Sequence, residues 1–304
     1  MTGSPYERFL RAARAEGGQP VSAGVLGKAR SFLWTNKERI VTTVAAIRSW
    51  FRTGRGTTDS PGILVLGPGG GGKSTLAMLL SKDDYNPLYD LPEGYKESVE
   101  IERCRLPGQV PAEVIVPPGQ PERRAATWGD LHADLAAGKY RGVILVFAFG
   151  HLSFSVSYKD HKLYHDDKER FLEEYWIAQR DEELKVFQEL VPHMMASPGK
   201  LWVLTLVTKQ DLWWPDTRQA WKHYTSGGFD AEIRKVYSRK EAHLFRHETV
   251  LSSLVISNFS SGAGEVLKPN AAGYDQHHQI QSLRKLFETL EALREWEAGN
   301  AGSA

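Results

Sequence analysis

From Thr35 onward the chain first shows a helical rhythm. Ile40, Val44, Ile47 and Phe51 recur at spacings of four, three and four, which places them on one stripe of a helix. Thr35-Asn-Lys-Glu38 ahead of the stripe is a capping box, with a hydroxyl and a carboxylate three residues apart. Thr53-Gly-Arg-Gly-Thr-Thr58 ends this pattern as a linker, and the period then changes. Ile63-Leu-Val-Leu66 is a short continuous apolar run, which predicts a buried strand, and Thr75–Leu80 predicts a helix. Glu97–Cys104 and Ala112–Val116 predict two strands joined by a turn at Leu106-Pro-Gly108. A helix over Ala125–Ala137 leads to a second buried strand, Gly142–Phe147. Residues 151–167 are polar and irregular. Glu169–Met195 predicts a long helix carrying Phe171, Tyr175, Trp176, Leu184, Phe187 and Leu190. Leu201–Val207 predicts a strand, residues 216–247 are mostly helical, and Ser252–Ile256 predicts another strand. Ile280, Leu283, Leu286, Phe287, Leu290 and Leu293 line a last amphipathic helix.

Strand, loop and helix, then a hairpin, then strands alternating with helices, define an α/β class. The sheet is expected to be mostly parallel with one antiparallel edge strand and helices on both faces, in three layers. Ligands of such sheets bind at the carboxyl ends of the strands. Three regions follow: a basic N-terminal extension over 1–58, a body over 59–296 with an enlarged helical section at 151–200, and a tail over 297–304 of the small, polar kind that tends to disorder.

Charge sharpens this division. The 304 residues carry a net charge of only +1, yet residues 1–58 hold ten Lys and Arg against three Asp and Glu, while the remainder holds 28 against 34. A segment of +7 is therefore attached to a body of −6. The N-terminal helix has three readings: docking on the body, contact with an anionic membrane surface, or contact with a partner. Docking comes first, because Trp34, Trp50 and Phe51 would otherwise be exposed. No basic patch interleaved with aromatics occurs in the body, so nucleic acid is not an expected partner. One cysteine, Cys104, excludes an internal disulfide framework and fits a reducing, cytoplasmic compartment. No apolar run reaches the ~18 residues of a membrane span, and the first residues lack the apolar core of a signal peptide.

Between the first strand and its helix lies Gly67-Pro-Gly-Gly-Gly-Gly-Lys-Ser-Thr75. So many glycines cost conformational freedom on folding, and only a ligand that uses the bare backbone offsets it. Gly67-x-x-x-x-Gly72-Lys73-Ser74 fits the phosphate-binding P-loop pattern, in the right strand-to-helix context. The amides from Gly67 through Gly69, Gly70, Gly71 and Gly72 can turn toward a phosphate, with Thr75 in the first helical turn behind them. Lys73 reaches the β- and γ-phosphates and Ser74 offers a hydroxyl to Mg²⁺. Charge-assisted hydrogen bonds of this kind contribute about 1.5–3 kcal/mol each.

Thr208-Lys-Gln-Asp211 follows the strand ending at Val207. A carboxylate there can accept from guanine N1–H and its exocyclic amine, a donor pair that adenine lacks. Sites built around such a pair reject the analogue without it by about 10⁴ or more. Lys209 would lay its stem over the purine.

With GPGGGGKS, PPGQ, TKQD and the SNF of LVISNF, the chain resembles the small-GTPase-like branch of the P-loop GTPases over roughly residues 60–295. That resemblance implies GTP and GDP as ligands, Mg²⁺ as cofactor, and a protein effector or regulator as partner. Thr208 stands where the family usually has Asn, which ties the base loop to the P-loop. By position, Ser257, Asn258 and Phe259 take the place of the loop whose backbone meets the guanine O6. In Val116-Pro-Pro-Gly119-Gln120 the glycine and glutamine match the second switch, whereas Val116 replaces its metal-holding Asp. Gln120 resembles the residue that orients the attacking water. Gly119-Gln-x-x-x-Arg124, with Trp128 beyond, resembles the ADP-ribosylation-factor branch. The first switch should lie within 82–98 and contains no Thr, so Ser98 is the substitute by position. Arg123 and Arg124 either act on the phosphate in cis or form a solvated face, the second being preferred.

Two further features are weighed similarly. His151, His161 and His165 lie among aspartates but without a ligand pair on one helix, which favours a surface excursion over a metal site. Trp213 and Trp214 either shield the base or pack on the following helix, with packing preferred. The expected function is a GTP-binding switch with slow Mg²⁺-dependent hydrolysis. The alternatives are a nucleotide-binding scaffold with little hydrolysis, motivated by Val116 and the missing Thr, and an ATPase if the match at TKQD is accidental.

Overall fold

The computed structural model describes residues 62–81, 101–105 and 113–298. The N-terminal extension over 1–58, Ser98 with the first switch, the turn at 106–108 and the chain after Ala298 lie outside the described residues. Strand β1 (Gly62–Leu66) leads through the glycine loop into helix α1 (Lys73–Ser81). Strands β2 (Glu102–Arg105) and β3 (Glu113–Val116) form the expected hairpin pair, followed by α2 (Pro121–Ala136). Strand β4 (Tyr140–Phe147) precedes the 29-residue helix α3 (Lys168–Ala196). Then come β5 (Leu201–Val207), the single turn α4 (Gln210–Trp213), α5 (Thr217–Thr225), α6 (Gly228–Arg239) and β6 (Phe245–Leu251). A small ribbon of β7 (Phe259–Ser260) and β8 (Val266–Lys268) precedes α7 (Gln276–Ala298).

The six-stranded sheet has the order β2-β3-β1-β4-β5-β6. Only the β2–β3 pairing is antiparallel; β3–β1, β1–β4, β4–β5 and β5–β6 are parallel. The inner strands are almost continuous apolar runs because both faces are covered, and all seven residues of β5 are buried. Alternate side chains divide between two layers. Leu64, Leu66, Val143, Leu145, Phe147, Leu201 and Val203 share one cluster with Trp128, Phe187, Leu190 and Phe229 of α2, α3 and α6. The intervening residues Ile63, Val65, Ile144, Val146, Leu204 and Leu206 are equally buried. They belong to the opposite layer, where α1 packs along β2 and β3 and α7 along β5 and β6.

One expected element is wrong. Ser252–Ile256 is not a strand; the last parallel strand is Phe245–Leu251, whose first three residues fall in the stretch expected to be helical. As the sheet's outer strand it carries half-buried Arg246, His247, Glu248 and Thr249 between apolar ends, so its periodicity is faint. The apolar Leu254-Val255-Ile256 belongs instead to the loop that follows.

Candidate nucleotide site

β1 lies between β3 and β4, so its exit loop stands at the sheet's switch point, where a crevice opens. Gly67, Gly69, Gly70, Gly71 and Gly72 form that loop, and Lys73, Ser74 and Thr75 are the first three residues of α1. Gly70 is a position of the loop that tolerates no side chain. It adopts φ +75°, and a Cβ there would lie 2.2 Å from the Ser153 carbonyl oxygen. Ser153 N–H donates to Gly70 O at 3.2 Å, so the segment leaving β4 is bound directly to the loop. Lys73 is buried, and its Nζ donates to Gly67 O (3.0 Å) and Pro68 O (2.9 Å). Burial lowers its pKa to about 7; the Glu102 carboxylate opposes that shift and Arg124 adds to it.

Ser74 Oγ donates to Glu102 Oε1 of β2 at 2.8 Å. Val116, the position that departs from the switch pattern, is the last residue of β3 and is buried. Gly119 is packed against the loop so tightly that a Cβ would lie 2.4 Å from both Gly67 O and Lys73 Nζ. Its carbonyl accepts from Gly69 N–H at 3.0 Å, and Trp128 Nε1 holds Pro118 O at 2.9 Å. The Pro-Pro-Gly segment is thus fastened on both sides. Gln120 sits at the N-terminus of α2, with Pro121 in the first turn, a position that needs no amide donor. Arg124 corrects the expectation of a solvated face: it is buried, pairs with Glu182 and Glu189 of α3, and stacks over Trp128. Two carboxylates on α3 hold it, so it points into that layer.

The structure brings TKQD against the same loop. Thr208 Oγ1 lies 2.6 Å from Gly71 O and 2.9 Å from Phe147 O, its single proton shared between the two carbonyls. The tie between the loop after β5 and the glycine loop is therefore made by a threonine. Lys209 stands in a left-handed conformation, φ 58°. Its Nζ donates to His151 O and Ser153 Oγ, both at 2.8 Å. Burial lowers its pKa to about 8, with Asp211 and Glu183 opposing. Asp211 is 1% exposed. Ser253 Oγ donates to its Oδ1 and Ser257 N–H to its Oδ2 at 3.0 Å. Burial raises its pKa while these two donors lower it. Ser257 thus reaches the carboxylate through its backbone, while Asn258 Oδ1 accepts from Asn270 N–H at the surface (3.1 Å). Ser253, two residues after β6, holds Asp211, a contact that the misplaced strand concealed.

A second residue had no signal in the sequence. Glu183 of α3 is completely buried and accepts from Ala148 N–H (2.8 Å), Gly150 N–H (3.2 Å) and Tyr224 Oη (2.6 Å). Tyr224 Oη in turn accepts from Phe149 N–H at 3.0 Å. These donors lower the Glu183 pKa, but burial prevails and pushes it up to about 7. Glu183 therefore shapes the β4 exit, whose Ser153 holds both Gly70 and Lys209.

Of the three histidines expected on a surface excursion, His165 is exposed, whereas His151 is buried and His161 half-buried. His151 stacks on Trp176 with ring centroids 4.6 Å apart, and burial lowers its pKa to about 3. His161 packs on Phe154, Phe171 and Tyr175. Among the described residues no three His, Cys, Asp or Glu form a metal cluster, and no helix is long and apolar enough to cross a membrane. Trp213 is buried with its Nε1 on Thr208 O (3.0 Å), and Trp214 packs on Tyr274 and His278.

Sheet order, an antiparallel β2 and a glycine loop running from β1 into α1 define a three-layer P-loop α/β fold. No protein-family model and no curated protein sequence matches the chain. Among solved structures, it is similar to the signal recognition particle receptor SRb of Chaetomium thermophilum in two forms. The SRb-GTP/SRX complex is 15% identical, with TM-score 0.36 over 66% of this chain and 94% of that one. SRb-GDP is 16% identical, with TM-score 0.35 over 75% and 97%. A structure described as nucleolar GTP-binding protein 1 of Plasmodium falciparum is 11% identical, with TM-score 0.35 over 80% and 96%.

Proposed function

We propose that the chain binds GTP and GDP with Mg²⁺ and hydrolyses GTP slowly. The observation that carries this reading is the Thr208–Gly71 hydrogen bond, which joins a base-reading segment to a phosphate-binding loop. Loop amides and Lys73 take the phosphates, Lys73 exchanging loop carbonyls for phosphate oxygens. Asp211 reads the guanine edge once the segment carrying Ser257 has moved aside and freed its carboxylate. Lys209 lies beside the base, and Gln120 orients water toward the γ-phosphorus. Attack forms the new P–O bond as the bond to the bridging oxygen breaks; GDP leaves with the electron pair, and the water's proton passes to the released phosphate. Mg²⁺, when bound, would offset charge on the phosphate oxygens, and the Ser74 hydroxyl with the Glu102 carboxylate beside it suits a hard cation.

Without an arginine at the γ-phosphate, rates on the order of 10⁻³ s⁻¹ or below are expected. Arg124 is committed to Glu182 and Glu189, so acceleration calls for a regulator that supplies one. Two features favour the second reading, a nucleotide-binding scaffold with little hydrolysis: Val116 carries no metal ligand, and no Thr occurs within 82–98.

Displacement of a fluorescent GDP by GTP, GDP or ATP, with and without Mg²⁺, tests the nucleotide. Preference for GTP and GDP supports the proposal; equal displacement by ATP would leave an ATPase or a non-selective P-loop protein. A single-turnover assay separates the two remaining readings, since loss of turnover in Gln120→Ala excludes the scaffold.

A further inference from the structure

Val116 removes a carboxylate from the end of β3, and the sheet returns one from the neighbouring strand. In the β2–β3 register Glu102 is the direct partner of Val116, and directly opposed residues project from the same face. The Glu102 carboxylate reaches the first turn of α1, 2.8 Å from Ser74 Oγ. Its charge also acts on Lys73. Glu102 thus faces the hydroxyl and the ammonium that the nucleotide reading assigns to the metal and the phosphates.

The spacing fits a specific cation. Mg²⁺ binds oxygens at about 2.0–2.1 Å in octahedral geometry, so adjacent ligands stand about 2.9 Å apart. Ser74 Oγ and Glu102 Oε1 already form one such edge. A hydroxyl and a single carboxylate are also few protein ligands, which suits a cation that completes its shell with water and phosphate oxygens. We propose that Glu102 is a direct Mg²⁺ ligand alongside Ser74, replacing from β2 the carboxylate that β3 lacks; this rests on the nucleotide-binding reading above.

A merely structural Ser74–Glu102 bond predicts something different. If Glu102 only fastens β2 to α1, its loss weakens nucleotide binding whether or not metal is present. If it holds the metal, its charge opposes the phosphates when metal is absent, and the effect of removing it changes sign. The experiment measures binding of fluorescent GDP to the full chain in EDTA and in Mg²⁺, and Mn²⁺ binding to the GDP complex by electron paramagnetic resonance. Glu102→Gln is expected to bind GDP at least as tightly as wild type in EDTA, more weakly in Mg²⁺, and to lose at least the roughly 10-fold in Mn²⁺ affinity that removal of even an outer-shell partner costs. Adding Val116→Asp to Glu102→Gln is expected to restore Mn²⁺ binding. Unchanged Mn²⁺ affinity in Glu102→Gln, or equal loss of GDP binding in both buffers, overturns the assignment. If wild type binds no fluorescent GDP in either buffer, the nucleotide reading fails first and the metal assignment with it.

Discussion

The Thr208 hydroxyl lies 2.6 Å from the carbonyl of Gly71, 137 residues earlier in the chain. The same hydroxyl lies 2.9 Å from Phe147 O at the end of β4, so one proton serves loops from three strands. Thr208→Val keeps the shape and removes the proton, leaving two carbonyls to share no donor. Such an exchange costs about 1–3 kcal/mol when the acceptors are buried. The expected outcome is a lower melting temperature together with weaker nucleotide binding. A variant that melts as wild type would show that the tie does not hold the two loops.

Lys73 makes the free protein sensitive to alkaline pH. Its folded pKa of about 7 lies below its ordinary 10.5, so the unfolded chain binds more protons between those values. The burden of the buried charge is complete below pH 7 and is relieved as pH rises to about 10.5, so this group makes stability increase across that window. Phosphate binding acts in the opposite direction, since it favours the ammonium and takes up a proton. Nucleotide affinity is therefore expected to fall as pH rises above about 7. Calorimetry in buffers of different ionisation enthalpy should register the proton uptake, and Lys73→Met should remove both the uptake and the alkaline rise in stability.

Glu183 acts on the acid side. Its folded pKa is pushed up from 4.5 to about 7, so the folded chain holds the extra proton in that window. Its contribution is complete below about 4.5 and is lost as pH rises through 7. Glu183→Gln leaves an oxygen for Ala148 N–H and Gly150 N–H, and should flatten the pH dependence of the melting temperature between those limits with a modest change in stability. Glu183→Ala leaves two buried amides and Tyr224 without their acceptor and is expected to cost about 3 kcal/mol or more. Equal melting curves for the two variants would contradict this account of the β4 exit.

The same residues show what the sequence discloses. Leu201–Val207 is legible to the residue because both faces are buried and the apolar run is unbroken. The glycine loop is legible because backbone exposure is written directly as composition. Phe245–Leu251 is hidden, since a strand at the sheet's edge keeps polar residues and its alternation blurs. With it goes Ser253, whose role depends on where that strand ends. Glu102 and Glu183 leave no trace, because a glutamate on an outer strand or a helix is ordinarily solvated. Only the β2–β3 register and the packing of α3 bring them to Ser74 and Ala148. Arg124 is misjudged for the same reason: Glu182 and Glu189 reach it from 58 and 65 residues away.

Asp211 leads to the last prediction. The carboxylate proposed to meet guanine is 1% exposed, with Ser253 Oγ on one oxygen and Ser257 N–H on the other. A base can approach only after the segment carrying Ser257 moves aside. Releasing one hydrogen bond to a charged group costs about 1.5–3 kcal/mol, which lowers the open fraction by roughly 10–150-fold and the apparent affinity with it. Opening then precedes binding, so in stopped-flow mixing the observed association rate should rise with nucleotide concentration and level off at the opening rate. Ser253→Ala removes the other hold on Asp211 and should raise that plateau. A rate that stays linear to the highest concentration, in both proteins, would mean that Asp211 is reached without prior opening.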